Sequence, residues 1–158
     1  LLAGMAETLA TAYEATTCFN NSNARSMLGG KITLAAAAIA KLSTDTIYNH
    51  ATKAIESVKC SSVNQSLEHI VEANTLLSGI GFESGGLAAA HAIATALTTI
   101  PHVDENFLHG EMVALGLLTQ LVLESNTAEY DRVSELFIQL GLPITFSQLS
   151  LSLDNTSD

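Results

Sequence analysis

Tryptophan is absent from this chain of 158 residues, proline occurs only at positions 101 and 143, and Lys and Arg together number six. So few prolines leave helices largely uninterrupted. Six basic groups against sixteen acidic ones give a formal net charge of −10. A surface of that sign repels phosphate backbones and anionic headgroups, which argues against nucleic-acid or membrane partners. An anionic cofactor would need helix N-termini or groups outside the chain. Cys18 and Cys60 are the only cysteines and lie far apart without CxxC spacing. Free thiols in a cytoplasmic protein are the expectation. The longest strongly apolar run, Met112 to Leu123, falls short of the roughly 20 residues a membrane helix needs. The opening residues carry Glu7 and no basic region, so no signal peptide is expected. Charged residues amount to only 14% and hydrophobic ones to 47%, which is not the composition of a disordered chain.

What is present is helical pattern. Alanine and leucine dominate, both strong helix formers, and strand-like alternation is scarce. The pattern predicts helices over Leu2 to Thr17, Lys31 to about Ser57 (with a break near Ser43-Thr44-Asp45), Leu87 to Thr99, and Glu105 to about Glu124. Ser62 and Gln65 match a capping box for a further helix carrying Val63, Leu67, Ile70, Val71 and Leu77. Asn126 and Glu129 form a second capping pair, before the stripe Tyr130, Val133, Leu136, Phe137 and Leu140. Gly141 and Pro143 stop that helix. The Glu105–Glu124 segment is apolar almost all round and is expected to be central. No repeat or linker divides the chain, so an all-α, single-domain helical bundle over residues 1–158 is the expected fold. Leu1 opens inside an apolar periodic segment without a capping residue, so upstream sequence is expected. The polar tail Asp154 to Asp158 is expected to fray.

The glycine-rich run Gly79-Ile80-Gly81-Phe82-Glu83-Ser84-Gly85-Gly86 is not a dinucleotide fingerprint. Ser84 stands where the third glycine belongs, and a helix precedes it instead of a strand. Gly29-Gly30-Lys31 lacks Walker-type spacing. Residues 79–86 read instead as a flexible connection that lets helices approach closely. His91 lies among alanines, His109 opens the most apolar helix, and Glu7 is a carboxylate in an apolar helix, where an unpaired charge is costly. Alone, each is more readily a satisfied core or surface residue. Together, from separate helices, they could converge on one ion. His50, His69 and His102 lie in polar surroundings and are expected at the surface.

The run Leu67 to Ile93, with its segment Gly79-Ile80-Gly81-Phe82-Glu83-Ser84-Gly85-Gly86-Leu87-Ala88-Ala89-Ala90-His91-Ala92-Ile93, resembles glycerol dehydrogenases of the metal-dependent, iron-containing-type alcohol dehydrogenase family. So does His109-Gly110-Glu111-Met112-Val113-Ala114. The opening Ala3-Gly4-Met5-Ala6-Glu7-Thr8-Leu9-Ala10-Thr11 is similar to that family's Ala-Gly-Met-Gly-Asp-Ala-Leu-Ala-Thr segment. The resemblance implies the family's C-terminal helical domain, with the N-terminal nucleotide-binding domain absent from this chain. It implies metal ligands at Glu7, His91 and His109, a substrate-pocket residue at Phe82, zinc (Fe(II) as the alternative) and NAD bound through the missing domain. It implies oxidation of glycerol or a related vicinal diol to a hydroxyketone, a small polyol as partner, and leaves a homo-oligomer open. A stand-alone, non-catalytic helical metal-binding or interaction module is the competing reading.

Overall fold

The computed structural model describes residues 1–151; the tail expected to fray lies outside the described residues. The fold is all-α, as the pattern predicts. Helix α1 spans Leu2–Phe19 and α2 spans Leu34–Lys59; α3 (Gln65–Glu72) runs through a π-turn, Ala73–Leu77, into α4 (Ser78–Gly85). Then follow α5 (Ala89–Leu97), α6 (Pro101–Asn106), α7 (His109–Leu123), α8 (Thr127–Leu140) and a 3₁₀ turn at Phe146–Leu149. Among the described residues no helix is long and apolar enough to cross a membrane.

Helices α1 and α7 form the inside of the bundle. Met5, Ala6, Leu9 and Ala10 of α1 are inaccessible to solvent, and Met112 to Leu118 of α7 is continuously buried. Around this pair, α2 and α4 pack on α1, while α5 and α8 pack on α7. Helix α2 turns a stripe of small residues around Ile47 inward: Ala36, Ala40, Ser43, Ile47, Ala51, Ala54 and Ser57. Spacings of three and four place them on one face. No break occurs near Ser43. The Ser43, Thr44 and Thr46 hydroxyls donate to the carbonyls of Ile39, Ala40 and Leu42, four residues back, so they are satisfied within the helix.

Three further expectations are corrected. Asn64, not Ser62, caps α3, accepting the Leu67 N–H at 2.9 Å; Ser62 exchanges hydrogen bonds with Ser57 instead. The glycine run is no flexible connection, because residues 78–85 are helical. Its close-approach role holds, since a Cβ on Gly85 would lie 2.4 Å from the Ala15 side chain and one on Gly81 would lie 3.1 Å from Thr11. Gly86, at φ +78°, ends that helix in a conformation that side chains disfavour. Finally, the apolar segment from Glu105 to Glu124 is two helices. Proline 101 starts α6 at its first turn, where its missing N–H costs nothing. Phe107 and Leu108 are extended before α7 begins, and the Glu111 carboxylate accepts the Leu108 N–H at 2.7 Å.

Helix α7 makes its closest contacts where it has no side chain. A Cβ on Gly110 would lie 2.2 Å from the Ala3 carbonyl oxygen of α1, and one on Gly116 would lie 2.2 Å from the Ala90 carbonyl oxygen of α5. Both obstacles are backbone and cannot swing aside. Gly116→Ala is expected to lower unfolding stability by about 1–3 kcal/mol, the usual cost of overpacking, despite alanine's better helix propensity. Denaturant titration checks this, and a stabilised variant would contradict the contact.

Candidate metal centre

Glu7 lies on α1, one turn beyond Ala3. His91 lies in the first turn of α5 and His109 is the first residue of α7. The structure brings all three together: one ligand atom from each lies within 4.8 Å of the others, and among the described residues no other trio of His, Cys, Asp or Glu does so. His91 Nε2 stands 3.3 Å from Glu7 Oε2, and His109 Nε2 stands 3.6 Å from Glu7 Oε1. Donors about 2.0–2.1 Å from a tetrahedral ion are separated by roughly 3.3 Å. Both separations lie near that value, on different oxygens of Glu7, and the set as a whole lies within 4.8 Å, so the donor types suit a divalent ion and the side chains would draw together around it.

Exposure grades across the site. The His91 side chain is 9% exposed, Glu7 26% and His109 50%. The three face a cleft of about 490 Å³ bounded also by the α4 residue Phe82 and by Thr75 and Ser78 at the π-turn. Phe82 is half-buried and its ring meets that of His91 edge-on, with centroids 5.8 Å apart. The π-turn matters because it carries Asn74 over α1. The Asn74 amide donates to the Leu1 carbonyl at 3.1 Å and its oxygen accepts from Thr8 at 3.0 Å, which ties the helix bearing Glu7 to the cleft wall. Single π-turns within α-helices are frequent at functional sites.

One residue of the site is not among the sequence candidates. Glu14, on α1, is fully buried. Its Oε1 accepts the Ala88 N–H at 2.8 Å and the His91 N–H at 2.9 Å, and its Oε2 meets His91 Nδ1. The signal was available: Glu14 lies two turns beyond Glu7 on the same face of an apolar helix, where a lone carboxylate demands partners. The remaining histidines stand elsewhere. His102 is exposed, while His50 and His69 are half-buried against each other, with ring centroids 4.7 Å apart and His50 Nδ1 3.1 Å from Ser66 Oγ. A second cavity, about 570 Å³, lies between α1, α2 and α8. Its polar groups already satisfy one another: the Tyr13 hydroxyl contacts Glu129 and Tyr48, and Arg132 covers the Tyr48 ring at 3.7 Å.

No protein-family model matches the chain. It is 48% identical over 155 residues to a glycerol dehydrogenase of Escherichia coli, covering 98% of this chain and 42% of that protein. It is 40% identical over 153 residues to a glycolaldehyde reductase of Halobacterium salinarum, covering 96% of this chain and 41% of that protein. The crystal structure of glycerol dehydrogenase from Schizosaccharomyces pombe superposes with a TM-score of 0.90 at 37% identity, over 99% of this chain and 40% of that one. The chain is homologous to the helical C-terminal part of glycerol dehydrogenases. It spans about two fifths of the length of the relatives it matches. Both histidines, Glu7 and Phe82 thus stand in the segment shared with glycerol dehydrogenases.

Burial opposes charge on His91, but the Glu14 and Glu7 carboxylates outweigh it and raise the imidazole from an ordinary 6.5 to about 9. The folded value exceeds the unfolded one, so the stabilisation is complete below about pH 6.5 and is lost as pH rises through about 9. With chelator present, the melting temperature of the chain is expected to fall across that window, and His91→Gln is expected to flatten the fall. Circular-dichroism melts over the window check this, and an unchanged slope in the variant would assign the fall to other groups.

Proposed function

We propose that this chain is the metal- and substrate-binding half of an NAD-dependent polyol dehydrogenase that oxidises glycerol or a related vicinal diol to a hydroxyketone. The observation that carries this reading is the convergence of Glu7, His91 and His109 on one cleft, in a chain 48% identical to part of a glycerol dehydrogenase. Zinc is the proposed ion, because two imidazoles and a carboxylate suit it and alcohol oxidation by hydride transfer calls for a Lewis acid without redox chemistry of its own. Fe(II) is the alternative that the same donors accept. Bound there, the ion would supply Lewis acidity toward a substrate hydroxyl, favouring its ionisation near neutral pH.

The chain's own residues would do the rest. Glu7 would contribute negative charge that keeps a divalent cation in place, and the imidazoles would contribute neutral nitrogen donors. The edge of Phe82 would limit the cleft on the His91 side and keep the substrate carbons from water. Ser78 at the cleft wall would offer a hydroxyl to the further hydroxyls of a small polyol, and Thr75, whose own proton goes to the Val71 carbonyl at 2.7 Å, would offer an acceptor. NAD would be bound by residues outside this chain. Among the described residues there is no strand to carry a dinucleotide fold, and the net charge of −10 gives a pyrophosphate no help. A cytoplasmic setting accords with Cys18 and Cys60 as free thiols.

Zinc titration against a competing chelator tests the reading. His91→Ala and His109→Ala are each expected to weaken binding by more than ~100-fold, beyond the cost of losing an outer partner. Equal affinity in parent and variants would reject the site. The isolated 158-residue chain is expected to show no NAD reduction with glycerol, and turnover by the chain alone would place the NAD site within it.

A further inference from the structure

We infer that Glu14 is a positioning residue: it locks His91 in the form that carries its proton on Nδ1 and presents Nε2 to the cleft. The inference rests on the proposed metal centre for its function, but its geometry is independent of any ion. Imidazole has two nitrogens, and only the unprotonated one can ligate. On His91, Nδ1 meets Glu14 Oε2 while Nε2 faces Glu7 at 3.3 Å. A carboxylate has no proton to donate, so Glu14 accepts one from Nδ1, and once the ring carries a single proton the Nε2 lone pair, on the side of Glu7, is the one available to an ion. Outer carboxylates hold metal-ligating histidines in this way.

What sets Glu14 apart from an ordinary partner is that the same carboxylate fixes the backbone as well as the ring. Helix α5 has no capping side chain at its own N-terminus. Oε1 of Glu14 takes the N–H groups of Ala88 and His91 instead, and the negative charge suits the positive end of the helix. Another amide of this first turn, the buried Ala90 N–H, goes to Gln120 Oε1 of α7 at 2.9 Å. Ring and main chain of His91 are thus both held by one carboxylate inaccessible to solvent, while Gln120 caps the same helix without touching the ring. That division of labour separates orientation from mere capping.

Glu14→Gln and Gln120→Ala separate the two. Glutamine has nearly the same shape, and its oxygen can keep both backbone caps. Its NH₂ group then faces Nδ1 as a donor, which forces Nδ1 to accept and moves the ring proton to Nε2. Zinc affinity of Glu14→Gln is expected to drop about 10–100-fold, whereas Gln120→Ala is expected to lose thermal stability and keep its zinc affinity. Co(II)-loaded parent should show a slowly exchanging, hyperfine-shifted ring N–H proton from His91, absent in Glu14→Gln. In the ion-free protein, at a pH where the ring is neutral, ring ¹⁵N shifts should report protonated Nδ1 in the parent and protonated Nε2 in Glu14→Gln. An unchanged tautomer and zinc affinity in Glu14→Gln would overturn the proposal. So would an equal loss of affinity in Gln120→Ala, which would reduce Glu14 to a cap. Zinc affinity indifferent to His109→Ala would instead reject the metal centre, with the ¹⁵N shifts still deciding the role of Glu14.

Discussion

The close approach of α7 to two backbones governs the geometry of everything in the cleft. Gly110 meets the Ala3 carbonyl and Gly116 meets that of Ala90, each at a distance that excludes any side chain. The three converging residues sit directly beside these contacts. His109 adjoins Gly110, His91 adjoins Ala90, and Glu7 lies one helical turn from Ala3, on the same face. Because carbonyl against Cα leaves no soft side chain to adjust, backbone contact sets how closely α7 approaches α1 and α5. Larger residues at 110 and 116 would bury more apolar surface yet spread the donors apart.

Fixing the helices does not fix the rings, and here a buried charge enters. A carboxylate removed from water is costly unless several donors satisfy it. Glu14 has its donors from Ala88 and His91, and its presence is what permits α5 to begin inside the bundle without a cap of its own. The arrangement is reciprocal: the helix terminus compensates the carboxylate, and the carboxylate satisfies the terminus. Removing either member would leave the other buried and unpaired. Glu14 therefore costs little where it stands, although a lone glutamate in an alanine-rich core would be expensive.

Most of the architecture was legible because its signals are local. Apolar spacing located α1, α2 and α8, and Gly141 takes the left-handed conformation expected after α8. What escaped depends on tertiary contact. Glycines at 79, 81 and 85 weaken a helix by about 1 kcal/mol each relative to alanine, so a break was the natural reading; packing of Gly81 and Gly85 against α1 outweighs that cost. The interruption at Phe107 and Leu108 was hidden because residues on both sides are apolar, and the π-turn has no sequence signature. Within the candidate site, Glu7 and His91 stood out as polar residues in apolar helices. His109, at the entry to the most apolar helix, joined them as a set that could converge on one ion, and the resemblance made that set specific. Glu14 shares the signature of Glu7, but its partners are main-chain amides that no residue type announces.

The gradient of exposure across the trio bears on what kind of site this is. A purely structural zinc site encloses its ion with four protein donors, whereas a catalytic one offers three and leaves a position open. Here the donors number three, and the side chains run from buried His91 to half-exposed His109. The buried end is the one braced by Glu14, by the start of α5 and by the Phe82 ring. The exposed end faces the open cleft, with the Thr75 and Ser78 hydroxyls on its wall. Rigidity thus increases toward the interior and access increases toward solvent, so a ligand entering the cleft meets His109 and Glu7 before His91. An ion held by this trio would keep coordination positions on the side that is open to solvent. That asymmetry supports a substrate-handling centre over a structural one.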